Sequence, residues 1–183
     1  MNRAGTLLIA HPNLPANNPF SQSVIYLTMD NDKGVHGVVL NKPSQFKVFN
    51  IVAEYGFEAS HLTGNVHAGG PVFKNKLSIL HSSEWTTTSS VRITKDVCIS
   101  SDTFMIEKLS STWNPIEWRM FAGMCAWQPG QLELELSGKH PYRPENSWLT
   151  ANASSNILFN YDGEKQWEKA LQLSSQQMIN QFF

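Results

Sequence analysis

Residues 23–41 read SVIYLTM, DNDKG, VHGVVLN: two runs rich in β-branched residues, the first with a Tyr, joined by five residues of turn chemistry. Val, Ile, Tyr and Thr suit a pleated, largely buried strand, and Gly34 supplies the positive φ that a tight reversal demands. An antiparallel hairpin follows, the firmest pairing anywhere in the chain.

Upstream, TLLIA (6–10) is a short apolar run closed by His11-Pro12 and reads as a buried strand, with NLPANNPF as the loop between. Downstream, residues 46–55 place Phe46, Phe49, Val52 and Ala53 at helical spacing and stop at Gly56, a natural residue just past a helix end. VHAGGPV (66–72) and LSILHS (77–82) read as extended pieces, the first containing a Gly69-Gly70-Pro71 corner that leads to the second; SEWTTTSS (83–90) is a polar loop of the kind that lies beside functional surfaces. VRIT (91–94) and DVCIS (96–100) predict short strands. TFMIEKLSS predicts a helix capped by Ser101 or Asp102. EWRMFAGM (117–124) predicts a strand that ends in Cys125-Ala126-Trp127 before a Gln128-Pro129-Gly130 turn. In QLELELSG (131–138), Leu132, Leu134 and Leu136 alternate as in a strand, while Leu, Glu and Gln are helix formers and Pro129 stands where a helix could open. Periodicity alone favours the strand. The tail holds a Pro/Gly loop (138–146), WLTA, a short apolar ILFNY, and a helical stretch at about 163–183 on which Trp167, Ala170 and Leu171 share a face.

Length and composition narrow the function classes. The 183 residues suit one domain, 1–183, and the 41% hydrophobic content excludes a disordered or collagenous chain. Net charge is −1 with only four Arg, which disfavours specific nucleic-acid binding, since phosphate neutralisation needs clustered cations. Cations lean toward the first half and anions toward the second, compatible with a homo-oligomer. Cys98 and Cys125 read as reduced thiols in a cytoplasmic protein, and neither a signal peptide nor a membrane anchor is expected.

Four segments, GTLLIAHPNL…FSQSVIYLTMDNDKGVHGVVLNKP, VHAGGPV…LSILHS, FAGMCAWQPGQLELEL and WLTA…LFN…WEKAL, together resemble the YqgE/AlgH family of small bacterial proteins over nearly the whole chain. That resemblance implies an α+β fold, a mostly antiparallel bifurcated sheet folded into a pseudo-barrel and flanked by helices, with QLELEL as a helix. It implies no activity, substrate or cofactor. Some members are described as transcriptional regulators, for which this sequence offers no DNA-reading motif. The chain departs from the family pattern at Met124-Cys125-Ala126, Gln128 and Lys42-Pro43, and in the longer KHPYRPENS join, changes that could retune a family surface.

Cys125, at a strand end before a helix start, could be a stabilised thiolate, but a small packed residue is the stronger reading. His81 with Ser82 and Glu84 suggests acid/base chemistry, yet neighbouring strand residues face opposite ways, so a half-buried structural imidazole is favoured. Six His show no metal-ligand spacing, and no metal or cofactor is expected. Gly69-Gly70-Pro71 reads as a tight corner more readily than a phosphate cradle, because Pro71 removes a donor. Trp127, Pro129, Gly130, Gln131 and Glu133 form the best functional segment, its competing reading a helix start held by a buried Trp.

Two functions result. One is a non-enzymatic binding or regulatory protein that meets an unidentified protein partner through Gly69, Gly70, Pro71, His81, Ser82, Trp127, Pro129, Gly130, Gln131 and Glu133. The other is a small-molecule hydrolase or transferase with His81 and Glu133 as acid and base.

Overall fold

The computed structural model describes residues 2–111, 113–138 and 148–180. Its elements in chain order are β1 (Thr6–Ala10), β2 (Val24–Asn31), β3 (Gly34–Val39), β4 (Pro43–Lys47), α1 (Val48–Glu54), β5 (Asn65–Ala68), β6 (Val72–Ser82), β7 (Val91–Arg92), β8 (Val97–Ser100), α2 (Phe104–Ser110), β9 (Trp118–Trp127), α3 (Gln131–Ser137), β10 (Trp148–Asn152), α4 (Ser155–Phe159) and α5 (Gly163–Ile179). They form two compact units, residues 1–42 with 125–183, and residues 43–124. The α+β class with a mostly antiparallel sheet is the one the family resemblance implies. The KHPYRPENS join lies outside the described residues.

In the discontinuous unit, β1 runs antiparallel between β2 and β10, and β3 pairs with both β2 and the end of β9. The hairpin closes through Asp32-Lys33, with Asn31 opposite Gly34. Gly34 has φ +129°, and a Cβ there would collide with the Trp127 carbonyl oxygen, so glycine is required for strand approach as well as for the turn. Leu8, Ile25, Leu27, Val35, Val39, Cys125, Trp127 and Leu132 make the core. The long helix α5 is capped by Asp162, whose Oδ1 accepts from Gly163 N at 2.7 Å. It is tied to the sheet by Trp167 Nε1 donating to Ala10 O at 2.8 Å and Ser174 Oγ donating to Thr150 O at 2.9 Å.

In the continuous unit, β6 runs antiparallel to both β8 and β9, β7 flanks β8, and β5 lies parallel to β9 with β4 beyond it. Val48 and Val52 of α1 and Met105, Ile106 and Leu109 of α2 pack with Ile79, Trp85 and Met120. The expected helix over 46–55 begins two residues late: Phe46 belongs to β4, and Phe46 and Phe49 are exposed, whereas Val48 and Val52 form the buried face. The N-cap of α2 is Thr103 rather than Ser101 or Asp102, while Asp102 Oδ1 still accepts from Met105 N at 2.9 Å.

Candidate functional site

The Trp127–Glu135 segment is a hydrogen-bonded scaffold. Gly130, with φ +80°, occupies the N-cap of α3, which confirms the helix over the strand at 131–136. Gln128 and Gln131 bond reciprocally: Gln131 N donates to Gln128 O, and Gln128 N to Gln131 Oε1, each at 3.0 Å. Glu135, one turn further, gathers the rest. Its Oε2 accepts from both Trp127 Nε1 and Trp148 Nε1 at 3.0 Å, and its Oε1 from Gln131 Nε2 at 3.0 Å. Trp127 is buried. Glu133 faces the other way, Oε1 accepting from Arg3 NH1 at 2.6 Å while Arg3 also bonds Asp30. Its own backbone N–H and the Arg3 guanidinium hold the Glu133 carboxyl below the usual carboxylate range.

Cys125 stands opposite Gly37 of β3 in the same core. Burial, with the Glu135 charge adding to it, pushes the thiol up to about 12. At neutral pH it is a protonated packing group, which supports the structural reading of this side chain.

Gly69-Gly70-Pro71 makes a close approach between β5 and β9. Gly69 N donates to Ala122 O at 2.8 Å, and a Cβ on Gly69 would meet the Gly123 carbonyl oxygen. Gly123, at φ +80°, faces Gly70 in the same way. Beyond the corner β6 is irregular, its register on β9 shifting between Val72 and Leu77. Phe73 lies in that stretch with φ +50°, 56% exposed, and Lys76 Nζ sits 5.1 Å from its ring centroid. Phe73 carries no signal in the sequence, since nothing in its residue type announces a left-handed backbone.

His81 is fully buried rather than half-buried. Its Nδ1 lies 2.9 Å from Ser82 O, its Nε2 2.8 Å from Ser100 Oγ, and its ring edge-on to Trp85 at 4.7 Å. Burial lowers its pKa. Ser82 Oγ donates to Glu84 Oε1 at 2.7 Å, and Glu84 also accepts from Ile116 N at 2.8 Å. Burial opposes ionisation of Glu84, but the Ile116 N–H and the Ser82 hydroxyl prevail and hold its carboxyl low. His81 and Glu133 belong to different units, each engaged by partners of its own. Ser100, on the neighbouring strand, was the missed partner.

Among the described residues no group of three or more His, Cys, Asp or Glu could hold a metal ion, and no helix is long and apolar enough to cross a membrane.

The mostly antiparallel α+β fold is that of a family of small bacterial proteins. The chain belongs to the AlgH-like family, whose profile matches residues 7–179. A UPF0301 protein of Idiomarina loihiensis is 32% identical over 90% of this chain and 86% of its own length, and one of Erwinia tasmaniensis is 34% identical over 93% and 90%. The solution structure of the AlgH protein from Pseudomonas aeruginosa superposes with a TM-score of 0.76 at 26% identity, covering 94% of this chain and 89% of that one. The crystal structure of DIP2367 from Corynebacterium diphtheriae shares the fold, with a TM-score of 0.69 at 21% identity over 91% and 84%.

Proposed function

We propose that the protein is a binding and regulatory protein that acts through protein–protein contacts, and that the corner from Gly69 to Lys76 is its contact surface. Phe73 carries this reading. A left-handed backbone costs a non-glycine residue about 1–2 kcal/mol, and such strain concentrates at functional positions. Here the strain holds a large aromatic side chain in solvent instead of burying it. Lys74 and Lys76 follow it, the latter with its Nζ 5.1 Å from the ring centroid, so the fitting partner offers an apolar slot with an acidic rim. Gly69, Gly70 and Pro71 then act as the rigid base of the surface.

The profile match across both units supports treating the chain as one domain. A cytoplasmic setting is part of the same reading, supported by Cys98 and Cys125 standing as thiols rather than as a disulfide.

The test is Phe73→Gly. Glycine relieves the strained φ, so the melting temperature holds or rises slightly, while binding of the partner that co-purifies with the wild-type protein is lost. Charge reversal at Lys74 and Lys76 weakens the same complex in a salt-dependent way. A Phe73→Gly protein that melts normally and keeps every partner rejects this surface.

A further inference from the structure

The polar loop after β6 and the strand β8 place Ser90 at the outer end of a hydrogen-bonded relay that reaches a buried histidine. The direction of every proton in that relay follows from the contacts. Ser82 O can only accept, so His81 Nδ1 carries a hydrogen and points it there, 2.9 Å away. In a neutral imidazole Nε2 is then an acceptor, and Ser100 Oγ, 2.8 Å away, donates to it. Ser100 has spent its only hydrogen, so in its 2.7 Å contact with Ser90 Oγ the donor is Ser90. Ser90 Oγ in turn accepts from Thr87 N at 2.6 Å. His81 and Ser100 are buried, whereas Ser90 is partly open to solvent.

We propose that Ser90 is a nucleophile activated through Ser100 by His81, and that it accepts the acyl group of activated carboxylic esters. The arrangement follows the order of a serine nucleophile, a hydroxyl, a neutral base and a fixed acceptor that orients the base, with Ser100 inserted as a relay between hydroxyl and base. Burial favours the neutral, proton-accepting imidazole, and the charged groups around it, Glu84 and Lys108, have opposite signs. The Thr87 N–H stabilises negative charge growing on Ser90 Oγ.

In the reaction, Ser90 Oγ bonds to the ester carbonyl carbon as its proton passes to Ser100 and the Ser100 proton passes to His81 Nε2. The tetrahedral adduct collapses, the carbonyl–alkoxy bond breaks, and the alkoxide leaves as alcohol with the proton returned along the same path. Water then cleaves the acyl–Ser90 ester by the same relay.

A fluorophosphonate probe and p-nitrophenyl acetate test this on the full chain. Peptide mass spectrometry of the probe-treated protein should find the adduct on Ser90, and Ser90→Ala should remove it. Ser100→Ala, checked for an unchanged fold by its melt, should slow labelling at least about tenfold, within the range that proton relay contributes. The wild-type labelling rate should fall as acid protonates His81. No adduct on Ser90, a Ser100→Ala protein labelled at the wild-type rate, or a rate that does not fall at all as the pH is lowered from 8 to the onset of acid unfolding would overturn the proposal.

Discussion

Trp127 Nε1 donates to Glu135 Oε2 at 3.0 Å, and the same oxygen takes the indole N–H of Trp148. One carboxylate thus fixes the end of β9, the α3 turn and the start of β10. Its removal strands two indole donors, each costing about 1–3 kcal/mol when left unsatisfied away from water.

Glu135→Ala should therefore lose about 2–4 kcal/mol in urea unfolding, and Trp127→Ala about 3–5 kcal/mol through lost burial. Glu133→Ala removes only a pair exposed at the glutamate and should cost under about 1 kcal/mol. Equal losses at Glu133 and Glu135 would contradict the scaffold reading.

Stability should fall in two steps as pH drops. The imidazoles of His81 and His36 are held below 6.5 by burial. The unfolded chain therefore binds their protons first, and stability declines from about pH 6.5 downward. The carboxyls of Glu84, Glu133 and Asp102 are depressed from 4.5, 4.5 and 3.8, and their contribution, present above those values, disappears as pH falls through the folded-state values. Urea midpoints from pH 8 to pH 3 check this; a midpoint independent of pH above 5 would refute the histidine step.

Cys125 should resist thiol reagents at pH 8 in the native protein and react at once when unfolded, since its thiol is raised to about 12 and shielded. Time-resolved reaction with a chromogenic disulfide measures this. Rapid native modification mapped to Cys125 would restore it as a reactive group.

Gly123→Ala should cost about 2 kcal/mol or more, combining a positive φ with overpacking against Gly70 O. Gly69→Ala, without the φ penalty, should cost about 1–3 kcal/mol. Because both insert into one strand crossing, the double variant should lose less than the sum, a non-additivity that a double-mutant cycle detects.

What the sequence made legible was local. The hairpin at 24–39 is written in adjacent residues, its β-branched runs and Gly34, and was read within two residues of its ends. The segment 131–136 misleads because its three alternating leucines mimic a strand, whereas only Leu132 is fully buried and the helix is set by Gly130 and the distant Trp148. Phe46 and Phe49 match a helical period but sit on the exposed side, since β4 claims Phe46 and only Val48 and Val52 meet the core. The partners at the candidate sites depend on register between remote strands. Ser100 reaches His81 because β6 and β8 align His81 with Cys98, a pairing with no trace in residue spacing.

The strand β1 lies between β2 and β10, so one of its two edges waits for residues made almost last. On the ribosome, at roughly 5–20 residues per second, residues 43–124 can collapse as a contiguous piece while the first 42 residues remain half-assembled for several seconds. During that interval the apolar stretch Leu7-Leu8-Ile9-Ala10 presents an open edge able to recruit a neighbouring nascent chain. Overproduction should accordingly yield inclusion bodies more readily than the finished protein's stability would suggest. A circular permutant opened just before β9, near residue 115, and joining the old termini would make the discontinuous unit in one pass and shorten that exposure.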